Sequence, residues 1–291
     1  MSYIENIIQN KTKILSKIYA SISEEGGACG VDGEKCDPMT TGELVYCLKS
    51  LGFYCPNKTF KYLEQSQDTL GKWTDYSEDA WEVSITSWVL LALGMADNRN
   101  WTTINKGIAW LQTMQGEDGG FKQSDEVTEE NTYATAYACL ALHCIDSEKY
   151  DSNIRNGIRW LKNIQNEDGG FGRLAGEKSE ASLTAYVAHF FSSIDAEQYN
   201  IIQAKDGIIK YLVNSQRNTG AWTSWFELDD SVEGTSFTMY VLLSFFFNNK
   251  ELYENGCRFL SENLNLKDLD NWICFSLLYM IIGLKNMEEG N

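Results

Sequence analysis

The chain has 291 residues, 24 Lys and Arg against 41 Asp and Glu, and a formal net charge of −17. So acidic a surface excludes nucleic acid and anionic membrane faces as natural partners. No stretch reaches the eighteen or so uninterrupted apolar residues of a membrane span, and 2 prolines with no Ser/Gly-rich run mark no linker.

Met1–Lys17 carries lysines but no apolar core of the kind a secretory signal needs, so a cytoplasmic protein is expected. Its isoleucines predict a first amphipathic helix. Ile18-Tyr19…Ser23…Gly27-x-Cys29 follows, then the apolar run Leu44–Leu48. A sharper pattern begins at Tyr62-Leu63…Gln67…Gly71-x-Trp73. It recurs as Trp110-Leu111…Gln115…Gly119-x-Phe121, as Trp160-Leu161…Gln165…Gly169-x-Phe171, and as Tyr211-Leu212…Gln216…Gly220-x-Trp222. The starts lie 48, 50 and 51 residues apart. A fixed period near fifty signals an array of one supersecondary unit.

Each unit reads as helix, glycine turn, helix. In the third, Ile154, Ile158, Leu161 and Ile164 form one apolar stripe, the mark of an outer amphipathic helix. The helix after Phe171 is apolar nearly all round and belongs inside. The inner helices carry a Thr-x-aromatic marker at Thr86-x-Trp88, Thr135-x-Tyr137, Thr184-x-Tyr186 and Thr238-x-Tyr240, spaced 49, 49 and 54 residues. That spacing predicts about five extra residues in the fourth loop. Phe259-Leu260 and Trp272–Tyr279 make a last, degenerate unit. The reading is all-α: six two-helix repeats in one domain spanning 1–291.

The skeleton resembles the QW repeat of squalene–hopene-type terpenoid cyclases and protein prenyltransferase β-subunits. The resemblance implies an (α/α)6 toroid, with six inner helices ringed by six outer ones. It also suggests where chemistry would sit. Glu227-Leu-Asp229-Asp230-Ser231 resembles the acid motif of class II terpenoid cyclases, implying Asp229 as proton donor, with Asp230 its neighbour and Glu227 in place of the first aspartate. Aligning Thr238 with Thr184 instead puts the family's carboxylates at Gly234, Ser236 and Phe237. Glu82 and Glu180, one turn before their Thr, are secondary acid candidates. Trp81, Trp88, Tyr133, Tyr137, Tyr186, Trp225, Phe237 and Tyr240 are the aromatic residues expected to contact an isoprenoid substrate through ring quadrupoles.

Zinc protein prenyl transfer is disfavoured, because Ala134/Ala136, Leu183/Ala185 and Phe237/Met239 stand where that family places its ligands. No metal or cofactor is implied. Cys29 and Cys36 share one loop, with Cys55 further on, which leaves a disulfide or metal site open; their spacing matches no usual zinc pattern, and cytoplasmic thiols are reduced by default. Two functions remain: acid-initiated isoprenoid cyclisation, or a non-catalytic toroid that binds a peptide, protein or lipid partner.

Overall fold

The structure, a computed structural model, describes residues 2–31, 33–75, 81–224, 229–267 and 269–289. Among these the elements are α1 (Tyr3–Ile8), α2 (Lys11–Ala20), α3 (Pro38–Ser50), α4 (Asn57–Gln65), α5 (Glu82–Gly94), α6 (Trp101–Thr113), α7 (Thr132–Asp146) and α8 (Asp151–Ile164). They continue with α9 (Ala181–Ser192), α10 (Ile202–Asn214), β1 (Trp222–Thr223), β2 (Asp230–Ser231), α11 (Val232–Ser244), α12 (Lys250–Asn263) and α13 (Asn271–Glu288). They pack as two compact units, residues 21–164 and residues 1–20 with 165–291.

In the 21–164 unit, α5 packs on α3 and on α7, and α4, α6 and α8 flank that row. The inner helices are sealed: twelve of the thirteen residues of α5, Val83 through Gly94, are buried. The outer helices bury one stripe, as in α8 with Ile154, Gly157, Ile158, Trp160 and Leu161. In the other unit α11 packs on α9 and α13, with α10 and α12 outside and α1 and α2 beside α12 and α13.

The repeat skeleton has a direct physical cause. Gln67, Gln115, Gln165 and Gln216 each donate from Nε2 to the carbonyl of the glycine four residues on, at 2.8, 2.9, 2.9 and 2.9 Å. The same Nε2 also donates to a carbonyl in the first turn of the following outer helix: Thr103, Asn153, Ala204 or Leu252, at 2.9–3.1 Å. Each glutamine thus staples its own turn to the next repeat. The four glycines have φ of +104°, +103°, +90° and +93°, a region that L side chains avoid. A Cβ on Gly71 would also lie 2.6 Å from Lys106 O, so the turn presses backbone on backbone.

A second invariant ties turn to inner helix. The backbone N–H of Trp73, Phe121, Phe171 and Trp222 donates to the Oγ1 of Thr86, Thr135, Thr184 and Thr235 at 3.1, 2.8, 2.9 and 3.0 Å. This corrects the register expected for the fourth repeat. Thr235, not Thr238, is the structural counterpart of Thr184, and Trp222 precedes it by 13 residues just as Phe171 precedes Thr184. The fourth loop holds no five-residue insertion. The first repeat shifts likewise. Ala28 N donates to Thr41 Oγ1 at 2.8 Å, and Gly26 takes φ +101°, so Gly26-x-Ala28 fills the frame rather than Gly27-x-Cys29.

Candidate functional site

The sequence-predicted aromatic residues gather in each unit separately. In 21–164, Trp88 stacks at a tilt on Tyr137 with centroids 4.5 Å apart, and Tyr133 lies 4.7 Å from Tyr137. Trp88 Nε1 donates to Tyr133 Oη at 3.0 Å, and Trp81 meets Tyr133 edge-on at 6.2 Å. Trp88, Tyr133 and Tyr137 are buried and Trp81 is half-buried. In the other unit Tyr186 lies 5.2 Å from Phe237, Phe237 lies 5.9 Å from Tyr240, and Tyr240 stacks on Tyr279 at 4.6 Å. Here Tyr186, Phe237 and Tyr240 are only half-buried, so α9 and α11 present an open aromatic face. Trp225 lies outside the described residues.

His189 stands edge-on to Phe237 and Tyr240, at 5.9 and 5.5 Å. Burial pushes its imidazole down to about 4, so it is neutral at physiological pH.

The acid candidates separate. Glu227 lies outside the described residues. Asp229 is exposed and borders an open groove of about 620 Å³ with Arg217, Thr219, Asp230, Arg258 and Glu262. Asp230 sits in β2, paired antiparallel with β1 so that it faces Thr223, and its carboxylate meets Arg217 Nη1 at 3.0 Å. Asp229 thus lies exposed in an open, charged groove rather than in an enclosed apolar cavity.

The secondary acids are committed elsewhere. Glu82 forms an ion pair with Lys72, which also lies 3.6 Å from Asp125 and 5.6 Å from the Trp110 ring centroid. Burial pulls the Lys72 ammonium down, but the Glu82 hydrogen bond and charge outweigh it and leave its pKa raised. Glu180 caps α9 without a side-chain cap bond. Burial, then the charge of Glu177, raises its pKa. Its charge, after burial and the charge of Asp168, helps to raise the pKa of Tyr211 in the outer helix α10.

One acid was missed. With Thr235 as the repeat marker, Glu233 sits two residues before it, in the first turn of α11. Glu233, Phe237 and Tyr240 fall at i, i+4 and i+7, one helix face. Glu233 is half-buried, like the two rings in line with it. The signal lay in Ser231, whose side chain caps α11 by accepting from Gly234 N at 3.2 Å. Finding that cap in the sequence fixes where the helix begins.

The sequence matches the prenyltransferase alpha-alpha toroid domain family over residues 54–277. The chain belongs to that family. The alternation of sealed inner and amphipathic outer helices is this family's fold. Solved structures agree at the level of fold. The type II terpene cyclase MstE from Scytonema, in complex with geranylgeranyl dihydroxybenzoate, is 11% identical with a TM-score of 0.71, covering 97% of each chain. The ent-copalyl diphosphate synthase from Streptomyces platensis is 17% identical with a TM-score of 0.65, covering 85% of this chain. This toroid chain spans 50% of that synthase's length. A polysaccharide lyase shares the fold as well, at 10% identity and a TM-score of 0.67, covering 99% of both chains. No curated protein matches the sequence.

Among the described residues no group of three His, Cys, Asp or Glu is placed to hold a metal ion, and no helix is long and apolar enough to cross a membrane. Cys29 and Cys36 are joined as a disulfide rather than left as reduced thiols. The antiparallel bridge between Ala28 and Asp37, with Asp37 N donating to Ala28 O at 3.1 Å, brings them together. Cys55 stays a buried thiol beside Thr59 Oγ1 at 3.2 Å.

Proposed function

We propose that this toroid is a terpenoid cyclase that starts ring closure by protonating an isoprenoid against the aromatic face of α9 and α11, with Glu233 as the acid. The observation that carries the reading is the line Glu233–Phe237–Tyr240, a carboxyl at the head of a half-buried aromatic face. Alkene protonation requires the carboxyl in its protonated form. The acid's proton bonds to the terminal alkene carbon, using that alkene's π pair. The cation left on the neighbouring carbon takes the π pair of the next alkene and a ring bond forms. Ring quadrupoles of Tyr186, Phe237 and Tyr240 stabilise the passing charge. The last cation loses a proton from an adjacent C–H, whose electron pair becomes a new alkene. Water carries that proton away and reprotonates the carboxylate, so the net reaction is an isomerisation without cofactor.

The test is turnover of squalene, geranylgeraniol and geranylgeranyl diphosphate, read as cyclic products by mass spectrometry. Glu233→Gln keeps the shape and removes the acid, and lowers turnover at least about 10²-fold, the scale of a lost general acid. Asp229→Asn leaves turnover unchanged. Full activity in Glu233→Gln, or activity lost in Asp229→Asn, overturns this assignment.

A second reading, a non-catalytic toroid that binds a peptide or protein, is favoured by the open charged groove of Arg217, Arg258, Asp229, Asp230 and Glu262. It requires that no isoprenoid is turned over by the wild-type chain.

A further inference from the structure

The first repeat lacks the staple that holds the others. In its corrected frame, Gly26-x-Ala28, the residue four before the glycine is Ile22. Gln67, Gln115, Gln165 and Gln216 hold that place in the later repeats, and each is half-buried, as Ile22 is. The acceptor side is intact. A Cβ on Gly26 would press on Lys58 O of α4, just as one on Gly71 would press on Lys106 O. Gln67 reaches the carbonyl three residues before Lys106, that of Thr103. The matching carbonyl in the first repeat is therefore Cys55 O, and an isoleucine side chain has no donor to give it.

The Cys29–Cys36 disulfide joins the same two elements by another route. Cys29 follows Ala28, whose N–H meets Thr41 Oγ1. Cys36 O accepts from Tyr62 Oη of α4 at 2.8 Å, so the turn reaches the following outer helix through the sulfur bridge. Cys36 also leads directly into Asp37, which caps α3 by accepting from Thr40 N at 2.8 Å. α3 carries this order inward. A Cβ on Gly42 would lie 2.9 Å from Trp88 O, and Tyr46 meets the Trp88 ring edge-on at 5.5 Å. A glutamine staple is indifferent to reductant; a disulfide is not. Both cysteines are half-buried, and Gly33, Glu34 and Lys35 between them are exposed, so a thiol can reach the bridge.

We propose that the Cys29–Cys36 pair is a redox switch: the disulfide closes the first repeat, and reduction by a dithiol opens it while the glutamine-stapled repeats stay closed. One thiolate of the reductant bonds to one sulfur of the bridge, and the other sulfur leaves as a thiolate. The second thiol of the reductant then displaces the protein sulfur. The reductant ends as a disulfide and the chain as two thiols, with two electrons and two protons passed to it. The opened repeat loses its tie to Tyr62 and the fixed approach to the α3 cap. The switch makes no demand on the chemistry at α9 and α11.

Hydrogen–deuterium exchange of the full chain, oxidised and after dithiothreitol, reads this opening. Reduction speeds exchange across residues 26–41 at least about tenfold, the scale of a lost loop closure, and leaves the turns at 67–73 and 115–121 unmoved. Cys29→Ser exchanges like the reduced chain and ignores dithiothreitol. Ile22→Gln supplies the missing donor, so its reduced form slows back toward the oxidised wild type. Equal exchange in oxidised and reduced wild type overturns the proposal, as does a reduced Ile22→Gln chain that exchanges as fast as reduced wild type. Alkylation and mass spectrometry in glutathione buffers complete the test. The pair should pass between both forms; one that stays oxidised in excess reduced glutathione is a fixed staple, which overturns the switch.

Discussion

Thr235 and Thr238 are three residues apart in α11, and each is fully buried, yet replacing each by valine has opposite consequences. The swap preserves shape and β-branching, so helix propensity cancels between the two variants. Thr235 Oγ1 accepts from Trp222 N at 3.0 Å. Valine leaves that buried N–H without a partner, which costs about 1–3 kcal/mol. Thr238 Oγ1 has no partner to lose. There valine exchanges an unsatisfied hydroxyl for a methyl group, a change expected to be neutral or stabilising by about 1 kcal/mol.

The difference between the variants is therefore about 1–4 kcal/mol, from two side chains on one helix. Urea unfolding followed by tryptophan fluorescence reads it, since Trp222 is the residue whose amide is orphaned. The midpoint of Thr235→Val falls while that of Thr238→Val holds or rises. Equal losses, or the larger loss in Thr238→Val, would show that Thr238 carries the repeat contact. The register that places Glu233 on the aromatic face would go with it.

Gln165→Ala removes two hydrogen bonds, to Gly169 O at 2.9 Å and Ala204 O at 3.1 Å, and should lower stability by about 2 kcal/mol in the same assay. An unchanged midpoint would mean the staple is incidental. His189 is held neutral in the folded chain with a pKa of about 4, against an ordinary 6.5. As pH falls below 6.5 the unfolded chain takes up the proton first, so stability is lost between pH 6.5 and about 4 and levels off below. The loss is at most about 3 kcal/mol. His189→Phe should flatten that part of the curve, and a curve that keeps its slope would assign the acid limb to other groups.

Much of the fold was legible because each signature residue does a backbone job. Glutamine is needed where one side chain must reach two carbonyls in different repeats. Glycine is needed where φ is positive and the next helix leaves no room for a Cβ. The threonine marker was legible in three repeats and misplaced in the fourth, because α11 offers two threonines three residues apart. Spacing alone cannot separate them, as both fit a helical face; the partner, Trp222 N, is a contact that sequence does not display. The disulfide was open for the same reason. Cys29 and Cys36 are adjacent only because Ala28 pairs with Asp37 across a turn.

The same three-residue ambiguity governed the reading of the acid. With Thr238 as marker, the loop held extra residues and the family's carboxylates fell at Gly234, Ser236 and Phe237, so only the motif resemblance pointed to Asp229 and Asp230. With Thr235, the cap is Ser231, the helix starts at Val232, and Asp229 and Asp230 fall before it, in the hairpin with β1 and beside Arg217. Charge density drew attention to the adjacent aspartates, but helix phase decides which carboxyl shares a face with Phe237 and Tyr240. A carboxyl one residue before the cap and one two residues after it differ by almost a full helical turn. In this chain that separates the Asp230–Arg217 ion pair from an acid in line with Phe237 and Tyr240 on one face of α11. Glu233 was therefore hidden by no lack of signal. It needed the position of the cap, and that position follows from the bond between Ser231 and Gly234 N.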